Sequence, residues 1–383
     1  MQSRGCKWYH KFGLWQQVRN CDGITVNEKV NKDAIDEMLA ELGAASQLYR
    51  PSNIWSVLFD RHMAYLREHG IERFKKSVNL NYGEEAVIFT SLRHFQALSA
   101  LLGTGKPRGN FEIPADGFRI LTEGLGMPAH EIFADREHTR VYGAYTAMLW
   151  DYCKTLGDRS ALALLEEPRL GEPNYIDYDG KCISQDLARS FIEYHAIRTA
   201  APELMEGRLT IGEIGAGYGR LAYVFARTTD CRYIFFDIPP ALYVAQWYFS
   251  KLFGEDKVAG FRRHRDAASV QAHLGDRRFA FFTPNQIELF PADYFDLTVN
   301  IDSFGEMARS SVTNYLAHMR RIAKPRGFVY LRNLASDNTS RLEDIKWPVP
   351  TEADYAFGDG WRAILKRSWP IDPIYFELMY SRS

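Results

Sequence analysis

The stretch "LTIGEIGAGYGRLAYVF", Leu209–Phe225, decides the fold. A short apolar run carrying one acidic residue, Glu213, leads into three glycines at alternate positions, Gly215, Gly217 and Gly219, and then into a helical pattern. Strand, glycine loop and helix in that order put the loop at the carboxyl end of a strand, where open α/β sheets bind ligands. The spacing then narrows the ligand. A dinucleotide fingerprint, GxGxxG, needs its third glycine where this chain has Arg220. A phosphate-gripping GxxxxGK[ST] loop needs a lysine, and none follows here.

The pattern hh-Glu-h-GxGxG resembles instead the first motif of class I methyltransferases that use S-adenosyl-L-methionine (SAM). Glycines let the backbone approach a ligand closely and adopt torsions that a Cβ forbids. Glu213 is placed to orient the cationic amino-acid end of such a cofactor, whose sulfonium needs no phosphate-gripping lysine. The next strand ends in Asp237, in "YIFFDIPP". A carboxylate there accepts hydrogen bonds from ribose hydroxyls, by the logic of dinucleotide sites. Ile238 and Pro239 then pack on the adenine. The expected cofactor-binding set is Glu213, Gly215, Ala216, Gly217, Tyr218, Gly219, Asp237, Ile238 and Pro239.

Outward from the loop, the chain reads as two textures. From about residue 201 to 383, short apolar runs alternate with helical patterns, the signature of βα units and a parallel sheet. Strands are expected at "LTIGEI", "RYIFFDI", "RFAFFT", "FDLTVNID", "GFVYLRN" and "IYFELMY". Helices are expected at "RLAYVFART", "ALYVAQWYFSKLF" and "SVTNYLAHMRRIA". Residues 1–200 read mainly as helix, with patterns at "NKDAIDEMLAELGAA", "SNIWSVLFDRHMAYLREHG", "GEEAVIFTSLRHFQALSALLG", "EHTRVYGAYTAMLWDYCKTLG" and "QDLARSFIEYHAIRTAA". A small hairpin is expected in "YIDYDGKCI", turning at Asp179-Gly180. The expected fold is therefore α/β, a Rossmann-like class I methyltransferase domain with a mostly parallel sheet and an antiparallel last strand. A helical N-terminal domain precedes it, serving as lid and for substrate or oligomer contacts.

At 383 residues the chain is long enough for both. A net charge of −1 provides no global field for nucleic acid or an anionic membrane. The basic runs "RRHRD" and "RRIAKPRG" are short and flanked by apolar residues, so they read as solvated faces. No apolar run approaches a membrane span, and the N-terminal sequence lacks a signal-peptide core. The five cysteines are scattered without a CxxC pair, which argues against a zinc site or a disulfide framework. A reduced, cytoplasmic setting is expected, with room for a homo-oligomer.

Over most of its length the sequence resembles the sugar O-methyltransferase family of bacterial glycan and glycosylated-metabolite pathways. The resemblance rests on "SNIWSVL", "GIERFKKS", "GEPNYI", "EIGAGYGRLAYVF", "FDIPPALYVAQWYFSKLFG" and "FDLTVNIDSFGEM". "NIDSFGEM" is the most specific, because generic methyltransferases do not share it. The family's "GNP" reads "GEP" here, with the asparagine displaced to Asn174. The resemblance implies a SAM-dependent O-methyltransferase acting on a sugar hydroxyl of a nucleotide sugar, glycan or glycosylated metabolite. Independently, methylases of amide or base nitrogens often carry [N/D/S]PP[Y/F/W] after the fourth strand, where this chain has "NIDSF". Two other readings stay open: a SAM-dependent methyltransferase of a non-sugar small molecule, and a non-catalytic module that binds SAM or a glycan.

A sugar hydroxyl is a poor nucleophile at neutral pH, so a nearby base accelerates its reaction by roughly a hundred- to ten-thousand-fold. Asp302, ending the fourth strand, and Glu306, four residues on, are the catalytic candidates. Each also has a structural reading, Asp302 as a helix cap and Glu306 as an ion-pair partner of an arginine. Asn300 reads as a structural hydrogen-bonding residue and Ser303 as a contact to cofactor or substrate. His195 reads as a half-buried, satisfied histidine; His318, well inside a helix, is set aside. Asp302 and Glu306 are thin support for a metal, and no essential metal is expected. Aromatic faces stack on sugars, so Trp347, Tyr355 and Trp361 supply one or two candidates for an acceptor groove.

Overall fold

The computed structural model describes residues 30–51, 53–77, 92–103, 136–335 and 352–383. The helical patterns near the N-terminus form α1 (Lys32–Ala44), α2 (Asn53–His69), α3 (Leu92–Leu101), α4 (Arg136–Thr155) and α5 (Arg159–Ala163). Asn31 caps α1, its side chain accepting from the Ala34 amide. The early part of the "GEEAVIFTSLRHFQALSALLG" pattern, and Trp347, lie outside the described residues. The expected hairpin is present as β1 (Ile176–Tyr178) and β2 (Lys181–Ile183), antiparallel across Asp179-Gly180, both at positive φ. Ser184 caps α6 (Gln185–Ala200) by accepting from the Leu187 amide.

The α/β part then follows: β3 (Leu209–Ile214), α7 (Arg220–Thr228), β4 (Cys231–Phe236), α8 (Ala241–Phe253), β5 (Val258–Ala259), α9 (Ala267–Leu274), β6 (Phe279–Phe282), β7 (Phe295–Ile301), α10 (Arg309–Ile322), β8 (Ala323–Leu334), β9 (Trp361–Ser368) and β10 (Tyr375–Arg382). The order across the eight-stranded sheet is β5-β6-β4-β3-β7-β8-β10-β9. Strands β5 to β8 pair in parallel, whereas β10 runs antiparallel to both β8 and β9. This is the expected mostly parallel sheet with an antiparallel last strand. The sequence reading missed β5, α9 and the edge strand β9. The first is two residues long, and β9 carries mostly exposed side chains, so neither shows a buried apolar run.

Burial on both faces explains the near-continuous apolar strands. Along β4, Tyr233 and Phe235 join the core that holds α4, α6, α7 and α8. Ile234 and Phe236 face the opposite core with Val312, Leu316 and Met319 of α10. Residues from before position 201 enter both cores: Tyr145, Leu149 and Phe191 the first, Leu42 and Tyr49 the second. Among the described residues no helix is long and apolar enough to cross a membrane.

From β3 the chain passes to β4 and then to the edge strand β5, inserts β6 between those two, and returns to lay β7 on the other side of β3. That reversal is a topological switch point, and it opens a crevice between the carboxyl ends of β3 and β7.

Candidate functional site

A cleft occupies this crevice. Its wall includes Glu213 and Gly215–Tyr218 after β3, Asp237 and Ile238 after β4, and Asp302, Ser303 and Glu306 after β7. Two loops from opposite sides of the switch point are clamped together. The Asn300 side-chain amide donates to the Ile214 carbonyl at 2.8 Å and to Ser303 Oγ at 2.5 Å. Asn333 on β8 donates to Asn300 Oδ1 at 3.0 Å and fixes its orientation. Asn300 is thus the structural hydrogen-bonding residue expected of it. The fit is so close that a Cβ on Gly215, at φ +71°, would lie 2.1 Å from Ser303 Oγ. Gly219 starts α7 at φ +88°, and a Cβ there would strike Phe249 and Phe235 at 2.6 and 2.7 Å. Only glycine serves at either position.

Asp237 is buried, and each carboxylate oxygen accepts one backbone amide, Gly217 N–H at 2.6 Å and Ile238 N–H at 2.6 Å. A carboxylate offers about four lone-pair sites, so further acceptor capacity remains toward the cleft. Burial pushes its carboxyl up to about 7, against the pull of the two amides. Glu213 is also buried and receives the Tyr233 hydroxyl at 2.6 Å. Burial pushes it up to about 8, with the Tyr233 hydrogen bond opposing. Both acids therefore hold a proton more readily than any exposed carboxyl.

The far wall is a buried ion cluster. Arg220 grips Glu193 with two bonds of 2.6 and 2.9 Å and reaches Ser190 Oγ at 2.9 Å. Arg332, fully buried on β8, faces Glu193 at 3.1 Å and donates to Asp302 Oδ2. Burial raises Glu193, but Arg220 and Arg332 outweigh that and hold it below the usual carboxylate range. Asp302 itself sits at φ +63°, its amide bonded to the Arg332 carbonyl at 2.7 Å. Burial moves its carboxyl up, with Arg332 the largest opposing charge. The helix-cap reading of Asp302 does not hold, since its side chain makes no capping bond. Glu306 Oε2 accepts the Trp55 indole N–H at 2.7 Å.

Of the residues singled out by sequence, Glu213, Gly215, Ala216, Gly217, Tyr218, Asp237, Ile238, Asp302, Ser303 and Glu306 converge on this one cleft. Gly219 and Pro239 stand outside its wall; Gly219 instead shapes the start of α7. The aromatic expectation is corrected for Tyr355 and Trp361. Tyr355 is fully buried among Phe304 and Phe376, and Trp361 lies on the edge strand against Phe357. Trp55, Tyr49, Tyr315 and Tyr375 line the cleft instead. His195 is half-buried, stacked on Phe191, and away from the cleft. His318 has a part that its position in α10 did not suggest. Its Nε2 lies 2.7 Å from the hydroxyl of Tyr49, which also donates to Glu288 at 2.6 Å, and so helps hold a wall residue. Arg189, Arg50 and Trp55 were missed as wall residues, because α6, the α1–α2 connection and the start of α2 reach the cleft only through tertiary packing. Among the described residues, no group of three or more His, Cys, Asp or Glu side chains is placed to share a metal ion.

No known family profile matches the chain, and no curated protein does. Solved structures with partial likeness include a SAM-dependent methyltransferase from Aquifex aeolicus, similar over 61% of this chain and 98% of its own, at 15% identity and a TM-score of 0.35. A Galdieria sulphuraria protein, a candidate sarcosine dimethylglycine methyltransferase, matches 51% of this chain and 86% of its own, at 14% identity and 0.37. Haemonchus contortus phosphoethanolamine N-methyltransferase 2 matches 38% and 29%, at 16% and 0.28. Likeness at this level carries nothing about the acceptor. The strand order and pairing directions by themselves give the Rossmann-like class I methyltransferase fold.

Proposed function

We propose that this protein is a SAM-dependent O-methyltransferase acting on a hydroxyl of a sugar, in a nucleotide sugar, a glycan or a glycosylated metabolite. The observation that carries the cofactor half is Asp237. It is a buried carboxylate in the cleft wall, fixed by two backbone amides, beside a glycine loop that leaves no room for a Cβ at Gly215. That cradle fits a ribose diol at Asp237, with Ile238 in reach of an adenine face and Glu213 toward the amino-acid end. The bound cofactor supplies an activated methyl group on a positively charged sulfur.

The protein's own residues do the rest. Alignment of two reactants in a closed cleft is worth about 7–11 kcal/mol in favourable cases. Asp302 and Glu306, following β7, are the carboxylates available to take a proton from the acceptor hydroxyl. The Trp55 indole spans the cleft mouth to Glu306, so the helical N-terminal part contributes to the acceptor side as a lid. The sugar assignment is supported by the chain-wide resemblance centred on "NIDSFGEM" and by the aromatic rings of Trp55, Tyr49 and Tyr375 in the wall.

The test is a panel of nucleotide sugars, glycans and phenols incubated with methyl-labelled SAM. Label on a sugar-bearing acceptor is the expected result. Label confined to phenols or other non-sugar compounds overturns the sugar reading, and SAM binding with no transfer across the panel favours a non-catalytic module.

A further inference from the structure

Three guanidinium groups meet behind the cleft, and their pairing is unequal. Arg220 and Arg332 share Glu193, and Arg332 also takes Asp302. Arg189, on α6, has none of these partners. It is nine-tenths buried, yet among the described residues it makes no hydrogen bond and no ion pair; its one specific contact is the face of Trp369, 4.7 Å from the guanidinium. The opposite charge one turn earlier, Asp186, is engaged by the Tyr218 hydroxyl instead. A buried guanidinium with five donors and no acceptor costs free energy unless a ligand completes it. Arg189 lines the cleft, so its donors open onto the ligand space.

A second orphan stands beside it. Asp302 Oδ1 is buried without a hydrogen-bond partner, while Oδ2 belongs to Arg332. Arg189 is close enough to act electrostatically on this carboxyl, second only to Arg332 among the nearby cations. An unpaired fork of donors next to an unpaired acceptor, both in one wall, complements a carboxylate next to an ammonium. That pair is the head of an α-amino acid, and the amino-acid end of SAM carries it. A planar guanidinium held over an indole face is restricted in orientation, which favours a two-bond grip on a carboxylate.

We propose that Arg189 is the carboxylate anchor of this cleft, holding the carboxylate of the cofactor's amino-acid end while Asp302 Oδ1 receives its ammonium. The assignment rests on the SAM reading given above and adds what that reading leaves open. It also separates the two acidic residues after β7. Asp302 becomes a binding residue, and Glu306 is left to face the acceptor.

The experiment is isothermal titration calorimetry of the full chain at pH 8 with SAM, decarboxylated SAM and 5′-methylthioadenosine, which has no amino-acid end. Wild type is expected to bind SAM about 10- to 100-fold more tightly than decarboxylated SAM, the range for a charge-assisted bidentate bond. In Arg189→Gln that ratio falls to about one while 5′-methylthioadenosine binds as before. Equal wild-type affinities for SAM and its decarboxylated form overturn the anchor and leave the cofactor reading standing. So does a ratio that survives intact in Arg189→Gln. If wild type binds none of the three, the cofactor reading itself falls. Should Arg189→Gln fail to fold, Arg189→Lys carries the test, because it keeps the charge but loses the fork; an undiminished ratio there overturns the proposal.

Discussion

If Asp237 holds the ribose as proposed, a proton on it opposes cofactor binding, and the size of that effect follows from its surroundings. Burial raises this carboxyl from 3.8 to about 7 even though the Gly217 and Ile238 amides favour its charged form. Such a group is about nine-tenths protonated at pH 6 and about nine-tenths ionised at pH 8. A ribose diol donates hydrogen bonds, so only the ionised carboxylate completes it. The apparent dissociation constant then scales inversely with the ionised fraction and weakens about tenfold from pH 8 to pH 6. 5′-Methylthioadenosine is the right probe, because it keeps the ribose and lacks the amino-acid end that Glu213 and Arg189 face. Calorimetry at half-unit pH intervals should give a slope near one decade per unit below pH 7 and a plateau above pH 8. Asp237→Asn should flatten the profile and weaken binding at pH 8. A wild-type affinity unchanged between pH 6 and 8, or a slope that persists in Asp237→Asn, refutes the reasoning.

Glu213 gives a stability counterpart. Its folded-state carboxyl lies at about 8, above its ordinary value of 4.5, so the folded chain retains a proton that the unfolded chain releases, and stability falls as pH rises through that window. Glu213→Gln keeps an acceptor for the Tyr233 hydroxyl and removes the titration. Its stability advantage over wild type in urea unfolding is expected to grow by about 1.4 kcal/mol per pH unit between about pH 5 and 8, then level off; a pH-independent difference refutes it. Gly215→Ala places a methyl 2.1 Å from Ser303 Oγ at a positive φ. It should lower S-adenosylhomocysteine affinity at least about tenfold, since the loop must shift and the torsion alone costs about 1–2 kcal/mol. Wild-type affinity in a folded Gly215→Ala protein would show that the loop does not cradle the ligand.

The sheet was legible because its signal is local. Alternate residues of β4 serve opposite cores, and the parallel strands are largely buried on both faces, so short apolar runs such as "YIFFDI" announce themselves. The loop residues were legible for the same reason: Gly215, Asp237 and Asp302 each follow directly on a strand whose end can be read from sequence. What stayed hidden came from elsewhere in the chain. Arg189 lies on a helix whose residues from Gln185 to Tyr194 are all buried, so its pattern offers no solvent face from which a ligand-facing side could be told. Trp55 and Tyr49 precede the glycine loop by a long stretch of chain, and only packing brings them to it. The late aromatic segment misled for a related reason. Composition shows that Tyr355 is aromatic, not that it packs between Phe304 and Phe376 in the core.

These hidden residues change how the acceptor side works. Were Glu306 simply exposed at the end of β7, its carboxylate would be one among many. Here one oxygen accepts the Trp55 indole N–H, which constrains the carboxylate plane. A base held by one oxygen is aimed, and aiming matters because a misplaced proton acceptor loses most of its advantage. Trp55 belongs to α2, and Tyr49, held by Glu288 and His318, anchors the same stretch of chain against α10. The helical N-terminal part thus does more than cover the crevice. By placing Trp55 and Tyr49 in the wall, it ties its own packing to the orientation of Glu306. On the proposed function, proton removal by Glu306 would therefore depend on this contact with the N-terminal part.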